Sequence, residues 1–225
     1  MKRPVQRMLE EIESEVRYTS HLTGRRSLAP RILDALREVP RHKFVPDPQR
    51  PHAYDNRPLS IGNGQTISQP YIVAIMTDLL DLDGDDVVLE VGTGSGYQAA
   101  VLSRLVKKVY TVEIIPALAE RAAAVLKSLG YDNVETRIGD GHLGWPEHAP
   151  YDAIIVTAAA PRIPPPLVDQ LKPGGRMIIP VGPPYHTQEL ILLEKTPQGE
   201  IHHHDILPVA FVPLTGKEAA RKEEH

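Results

Sequence analysis

Three short stretches of the sequence hold the side chains and backbone shapes from which a binding site can be built. The first, Leu89-Glu90-Val91-Gly92-Thr93-Gly94-Ser95-Gly96, carries an apolar run straight into a glycine-rich turn. Small residues there let a ligand approach the backbone, and a helix starting after the turn would present free N–H groups to it. The second is Glu113, closing the next apolar run, where a carboxylate can accept hydrogen bonds from both hydroxyls of a ribose. The third is Asp140, in Ile138-Gly139-Asp140-Gly141. Together they suit the holding of a nucleoside-type cofactor. A dinucleotide fingerprint needs glycine at the first, third and sixth positions of the turn; the sixth here is Tyr97, which counts against a nicotinamide cofactor. The chain has no cysteine, which removes thiolate nucleophiles, thiolate metal sites and disulfides from consideration. His202-His203-His204 invites a metal, but neighbouring strand residues point to opposite faces and no second ligand cluster accompanies them. A solvated hairpin and no metal are expected there.

Positioning these residues requires a sheet. From residue 86 onward a strand (Val87 to Val91), a helix (Tyr97 to Leu105), a strand (Val109 to Val112) and a helix (Ala117 to Leu129) follow one another. Val134 to Ile138 and Ala153 to Val156 read as a third and a fourth strand. These aliphatic and β-branched runs are what strands buried on both faces of a parallel sheet require. A short helix from Leu167 to Leu171, closed by Lys172-Pro173-Gly174-Gly175, precedes a fifth strand, Arg176 to Pro180. Glu189 to Glu194 and Ile206 to Val212 leave no room for a crossover helix, so an antiparallel hairpin turning at Pro197-Gln198-Gly199 is expected at one sheet edge. The fold class is α/β: a doubly wound, mostly parallel sheet with a C-terminal antiparallel hairpin and an N-terminal helical cap. In such sheets the strand ends that carry the three stretches converge on one ligand crevice.

The first 80 residues supply the cap: an amphipathic helix from Val5 to Tyr18, a second from Pro30 to Val39, then a proline-rich connection through Pro46, Pro48, Pro51 and Pro58. One domain over 1–225 is expected, with its core at 81–216 and a charged, solvated tail at 217–225. Pro161 and Pro164-Pro165-Pro166 read as stiffening a loop over the crevice, and Trp145 and Tyr151 as packing residues. A formal charge of −4 with scattered Lys and Arg offers a nucleic-acid backbone no basic surface. No stretch has the apolar length of a membrane span, and no apolar secretory core follows Met1. A cytoplasmic, monomeric protein acting on a protein, peptide or small molecule is expected.

The spacing of Gly92, Gly94 and Gly96 resembles the first motif of the class I S-adenosylmethionine-dependent methyltransferases, in which the Asp140 position holds the adenine amino group. Ile61-Gly62-Asn63-Gly64-Gln65-Thr66-Ile67-Ser68-Gln69-Pro70-Tyr71 narrows the resemblance to the protein-L-isoaspartate O-methyltransferases. It continues through Tyr97-Gln98, Gly139-Asp140-Gly141, Ala149-Pro150-Tyr151-Asp152-Ala153-Ile154, Leu171 to Gly175 and Phe211-Val212-Pro213-Leu214, covering residues 28–216.

The resemblance implies methyl transfer from S-adenosyl-L-methionine, with S-adenosyl-L-homocysteine as product, to the free carboxylate of isoaspartyl residues in aged proteins and peptides. The methyl ester then collapses to a succinimide. It places Thr66, Ile67 and Ser68 against cofactor and substrate, with Ser68 as the active-site position. The cofactor positions are Glu90, Gly92, Thr93, Gly94, Gly96, Glu113, Asp140, Gly141 and Thr215. Pro46, Ser68, Gln69, Val209 and Val212 are the substrate positions. A carboxylate is already ionised at neutral pH, so no general base is required and Ser68 would orient rather than attack. Asn63-Gly64 reads as a left-handed turn pair, and also as a dipeptide apt to deamidate into the lesion this family repairs. Three rival readings stay open: a methyltransferase of the same fold acting on a small molecule, a nicotinamide oxidoreductase, and an adenosyl-binding module without turnover.

Overall fold

The computed structural model describes residues 3–216; the tail at 217–225 lies outside the described residues. Three cap helices come first, α1 (Pro4–Tyr18), α2 (Ser20–Thr23) and α3 (Pro30–Glu38), followed by the strands β1 (Leu59–Gly62) and β2 (Gln65–Ile67) and helix α4 (Pro70–Leu79). The α/β part is β3 (Val87–Val91), α5 (Tyr97–Ser103), β4 (Lys108–Glu113), α6 (Pro116–Ser128), β5 (Val134–Ile138), β6 (Tyr151–Val156), α7 (Pro165–Asp169), β7 (Leu171–Val181), β8 (Gln188–Lys195) and β9 (Ile201–Val209). Among the described residues no helix is long and apolar enough to cross a membrane.

The large sheet has the order β5-β4-β3-β6-β7-β8-β9. Strands β3 to β7 pair in parallel, and β8 runs antiparallel to both β7 and β9. Chain order runs one way from β3 to β5 and the other way from β6 to β7, so the switch point lies between β3 and β6. Val91 stands level with Val112 on one side and Val156 on the other, so three strand ends meet there. The expected parallel sheet with an antiparallel edge is what forms.

Alternation along the strands divides the core. Val88, Ala153, Ile155 and Ile178 face the cap, packing in one cluster with Ile12, Leu36 and Tyr71. Leu89, Val91, Ile154, Val156 and Met177 face the other side, with Trp145, Tyr151 and Leu167. Trp145 and Tyr151 are packing residues as expected; both meet the Tyr110 ring edge-on, and the Tyr151 hydroxyl donates to the Trp145 carbonyl at 2.5 Å.

Several boundaries differ from expectation, most of them by one or two residues at an element's end. The helix expected to reach Leu171 stops at Asp169, because Leu171 pairs with Tyr151 as the first residue of β7. Lys172 to Gly175 then bulge out before Arg176 rejoins the ladder opposite Ala153, and Lys172 Nζ donates to Asp152 at 2.6 Å. The last strand is Ile201–Val209 instead of Ile206 to Val212, since a tight turn lets Ile201 pair with Lys195. Residues 210–212 leave the sheet instead, and Val212 and Leu214 bond the Ala159 backbone at the strand ends. The connection between Pro58 and Pro70 is a two-stranded ribbon, not an open loop. Asn63 (φ 54°) and Gly64 (φ 69°) are its two turn residues, the left-handed pair that a type I′ hairpin needs.

Candidate active site

The glycine-rich turn is shaped by what surrounds it. Gly92 has φ 97°, and a Cβ there would stand 2.5 Å from Thr157 Oγ1, so only glycine fits. That hydroxyl donates to the Gly92 carbonyl at 2.6 Å, tying the turn to the end of β6. Gly94 donates its N–H to Glu113 Oε2 at 2.8 Å, and Ile115 donates to Oε1 at 3.0 Å. The Glu113 carboxylate is thereby held still at the end of β4, with lone pairs left for a ligand.

Glu90 is fully buried beneath the turn. Its Oε2 accepts from the Thr111 hydroxyl, which pairs with that of Thr93 at 2.6 Å, while Oε1 has no partner. Burial pushes the Glu90 carboxyl up to about 8; the Thr111 hydrogen bond offsets part of that, and the neighbouring Glu113 charge adds to it. A buried carboxylate with an unpartnered oxygen is a vacant acceptor for a cation or donor.

A cavity opens over these groups, about 720 Å³ when the part continuous with solvent is included. It is lined by Thr66, Ile67 and Ser68, by Glu90, Gly92, Thr93, Gly94 and Glu113, and by Gly141 and Thr215. Two expected cofactor residues are placed elsewhere. Gly96 is off the wall: a Cβ there would meet Ala122 Cβ at 3.3 Å, so it serves the close approach of α5 to α6. Asp140 stands behind Gly141, where its Oδ1 accepts from the His142 N–H and pairs with His142 Nδ1, both at 3.0 Å.

A second, wider groove adjoins the first, lined by four of the expected substrate residues, Ser68, Gln69, Val209 and Val212, with Tyr71 and Phe211. Pro46 lines neither space; its carbonyl accepts from Gln49 N–H at 2.8 Å at the start of the Asp47–His52 turn. Thr66, Ser68, Thr157 and Val212 belong to the walls of both spaces and form the passage between them. The exposed His202 and His204 face Glu200 and Glu194 on the sheet edge, at 3.8 and 3.5 Å, away from these spaces.

Sequence reasoning missed Thr157 and Arg41. Thr157 follows the fourth strand, so the strand-end rule that found Glu113 and Asp140 had the means to find it. Arg41 gave no signal, since Arg41-His42-Lys43 reads as surface charge. It is completely buried: Nε donates to the Ala53 carbonyl at 2.9 Å and Nη2 to the Ser68 carbonyl at 2.7 Å, while the guanidinium lies 4.7 Å over the Tyr97 ring. Burial lowers its pKa to about 10, which leaves it charged at neutral pH.

Known proteins share both the sequence and the fold. The profile of the protein-L-isoaspartate(D-aspartate) O-methyltransferases matches residues 19–219. The chain is 63% identical over 210 residues to protein-L-isoaspartate O-methyltransferase 2 of Syntrophobacter fumaroxidans, covering 93% of this chain and 85% of that protein. Its counterpart from a Polaromonas species is 60% identical over 93% and 100% of the two chains. A solved protein-L-isoaspartate O-methyltransferase superposes with a TM-score of 0.81 at 30% identity, over 95% of this chain and 69% of that one. A Plasmodium falciparum structure holding S-adenosyl-L-homocysteine shares the fold, with a TM-score of 0.74 at 23% identity over 92% and 97%.

Proposed function

Since this chain belongs to the protein-L-isoaspartate O-methyltransferase family, we propose that its two adjoining spaces divide the labour of that reaction, one taking the cofactor and the other the damaged peptide. The enzyme is a repair methyltransferase: it esterifies the free carboxylate of L-isoaspartyl residues, and the ester collapses to a succinimide. The observation that carries the division is the passage formed by Thr66, Ser68, Thr157 and Val212.

S-adenosyl-L-methionine bound in the first cavity supplies an electrophilic methyl group on a sulfonium. The residues present fit it. Glu113, fixed by two backbone donors, accepts from the ribose hydroxyls. Glu90 Oε1, buried and unpartnered, is the acceptor we assign to the ammonium of the methionine moiety. Gly92, Thr93 and Gly94 let the ligand lie against the backbone, Thr66 and Ile67 line its other side, and Gly141 and Thr215 flank the adenine, with Asp140 fixing the turn of Gly141 through the His142 N–H.

On the peptide side, the isoaspartyl carboxylate arrives ionised, so the chain has no proton to remove. What remains is alignment at a separation of about 3–3.5 Å, a contribution of up to roughly 7–11 kcal/mol in favourable cases. Ser68 donates its hydroxyl to the carboxylate and sets that alignment. Gln69, Val209 and Val212 hold the flanking peptide, and Arg41 keeps the Ser68 segment in place through its carbonyl.

We further propose that the enzyme works as a monomer in the cytoplasm; light scattering of the purified protein and cell fractionation test this. The reaction is tested with methyl-labelled S-adenosylmethionine and two peptides that differ only in an aspartyl or isoaspartyl linkage. Base-labile label on the isoaspartyl peptide alone is the expected result. Label on neither, with cofactor binding intact, would transfer the assignment to a small-molecule acceptor.

A further inference from the structure

The peptide groove is electrically lopsided. Of the described residues lining it, Glu15 is the one Asp, Glu, Lys, Arg or His; the rest are apolar or uncharged polar residues, such as Thr19, Leu22, Gln69 and Phe211. Glu15 sits on the groove face of α1, half-buried. Its carboxylate is held by amides only: Asn56 Nδ2 donates to Oε2 at 2.7 Å, and Gln69 Nε2 to Oε2 and Oε1 at 3.1 and 3.3 Å. Among the described residues no Lys, Arg or His forms an ion pair with it. Arg57, which follows Asn56 in the chain, meets Asp55 at 3.4 Å instead, as Arg7 does at 3.3 Å.

These amide bonds fix where the charge stands without neutralising it. Gln69 follows Ser68 directly, and Asn56 Oδ1 in turn accepts the Tyr71 N–H at 3.0 Å at the start of α4. Behind the Ser68 carbonyl lies the opposite charge, the buried Arg41 guanidinium. The groove therefore has a cation behind the Ser68 carbonyl and, across Gln69, a carboxylate that no cation neutralises. An isoaspartyl carboxylate is drawn in by the first and would be opposed by the second, unless the flanking peptide brings a positive charge to Glu15.

We propose that Glu15 is a specificity-determining residue: it favours isoaspartyl peptides with Lys or Arg within about two residues of the isoaspartate, a reach of about 7 Å along extended chain, and disfavours Asp or Glu there. This rests on the assignment of the groove to the peptide. A half-exposed charge at this range is worth a modest factor, about two- to fivefold, and added salt weakens it.

The test uses isoaspartyl peptides carrying Lys, Gln or Glu on either flank, with wild-type enzyme and Glu15→Gln, whose remaining carbonyl oxygen still accepts from Asn56 or Gln69. For wild type, kcat/KM is expected to fall in the order Lys, Gln, Glu on at least one flank, the Lys-to-Glu ratio shrinking as salt is raised. In Glu15→Gln that ratio moves toward one. A purely structural role would slow all three peptides alike and leave the ratio unchanged, which overturns the proposal, as does a wild-type ratio of one at low salt. The salt series on wild type reads the effect even if the variant folds poorly. Failure of the Gln-flanked isoaspartyl peptide to be methylated at all would count against the groove assignment instead.

Discussion

Glu90 shows how a residue can be legible in sequence and still act in a way only the fold reveals. Its place before the glycine-rich turn marked it for the cofactor site, but its burial comes from the neighbouring strands, and Thr111 bonds one of its two oxygens only. Its carboxyl is raised to about 8 from an ordinary 4.5, so between those values the folded protein keeps a proton that the unfolded chain has released. The stability tied to this group is fully present below pH 4.5 and is lost as pH rises through about 8. Glu90→Gln removes the dependence. Without cofactor, the variant is expected to gain thermal stability over wild type progressively from pH 5 to 8.5, at about 2–4 °C per kcal/mol, while binding S-adenosylmethionine more weakly. A gain that does not change with pH would place the Glu90 carboxyl at its ordinary value. Ser68 is legible for a different reason, the long match around it, and its role is tested by kinetics. Ser68→Ala should lower kcat by about ten- to a hundredfold through lost alignment and leave cofactor affinity nearly unchanged; undiminished turnover of an isoaspartyl peptide would remove the role. Arg41 and Glu15 were out of reach, because the partners that make them matter, Ser68 and Gln69, lie 27 and 54 residues further along the chain.

At the scale of elements, the strands of the sheet were legible because their apolar runs are bounded by polar turns, whereas edges set by pairing were not. Nothing local says that Leu171 will pair with Tyr151 or Ile201 with Lys195; hydrogen-bond register decides both. Helix α4 was missed because Pro70 to Leu79 is buried on nearly every side, which erases the helical period that marked α1. The β1–β2 ribbon was half seen: Asn63-Gly64 was recognised as a left-handed turn pair, but not as the hairpin that carries Thr66 and Ser68 to the passage. A Cβ on Gly64 would meet nothing within 4 Å, so Gly64→Ala tests backbone conformation alone. At φ 69° the substitution should cost about 1 kcal/mol, lowering the melting temperature by about 2–4 °C, whereas Gly64→Asn, which tolerates that conformation, should cost less. Equal melting temperatures for wild type and the alanine variant would mean that the turn does not hold its geometry in solution.

For the molecule as a whole, the question is whether cap and core are one unit. The sequence reads both as a single domain, and the packing supplies a mechanism. The face of the sheet formed by Val88, Ala153, Ile155 and Ile178 is covered by the cap together with α5 and α6, and Ile12, Leu36 and Tyr71 of the cap belong to the same cluster as Val101 and Leu118. Arg25 and Asp78 add an ion pair at 3.1 Å between the segment after α2 and α4. Removing the cap would expose to water the part of that face that α5 and α6 leave uncovered, a loss no small domain of marginal stability can absorb. We therefore expect a single cooperative unfolding transition. Trp145, the only tryptophan, sits in the opposite cluster, so its fluorescence reports the far face of the sheet, while far-ultraviolet circular dichroism weighs every helix, the cap's included. Coincident denaturation midpoints by the two probes, with calorimetric and van't Hoff enthalpies equal, are the expected outcome. A circular dichroism loss that precedes the tryptophan change would make the cap an independently melting lid, and the walls that Glu15, Ser68 and Gln69 lend to the peptide groove would then form and dissolve with it.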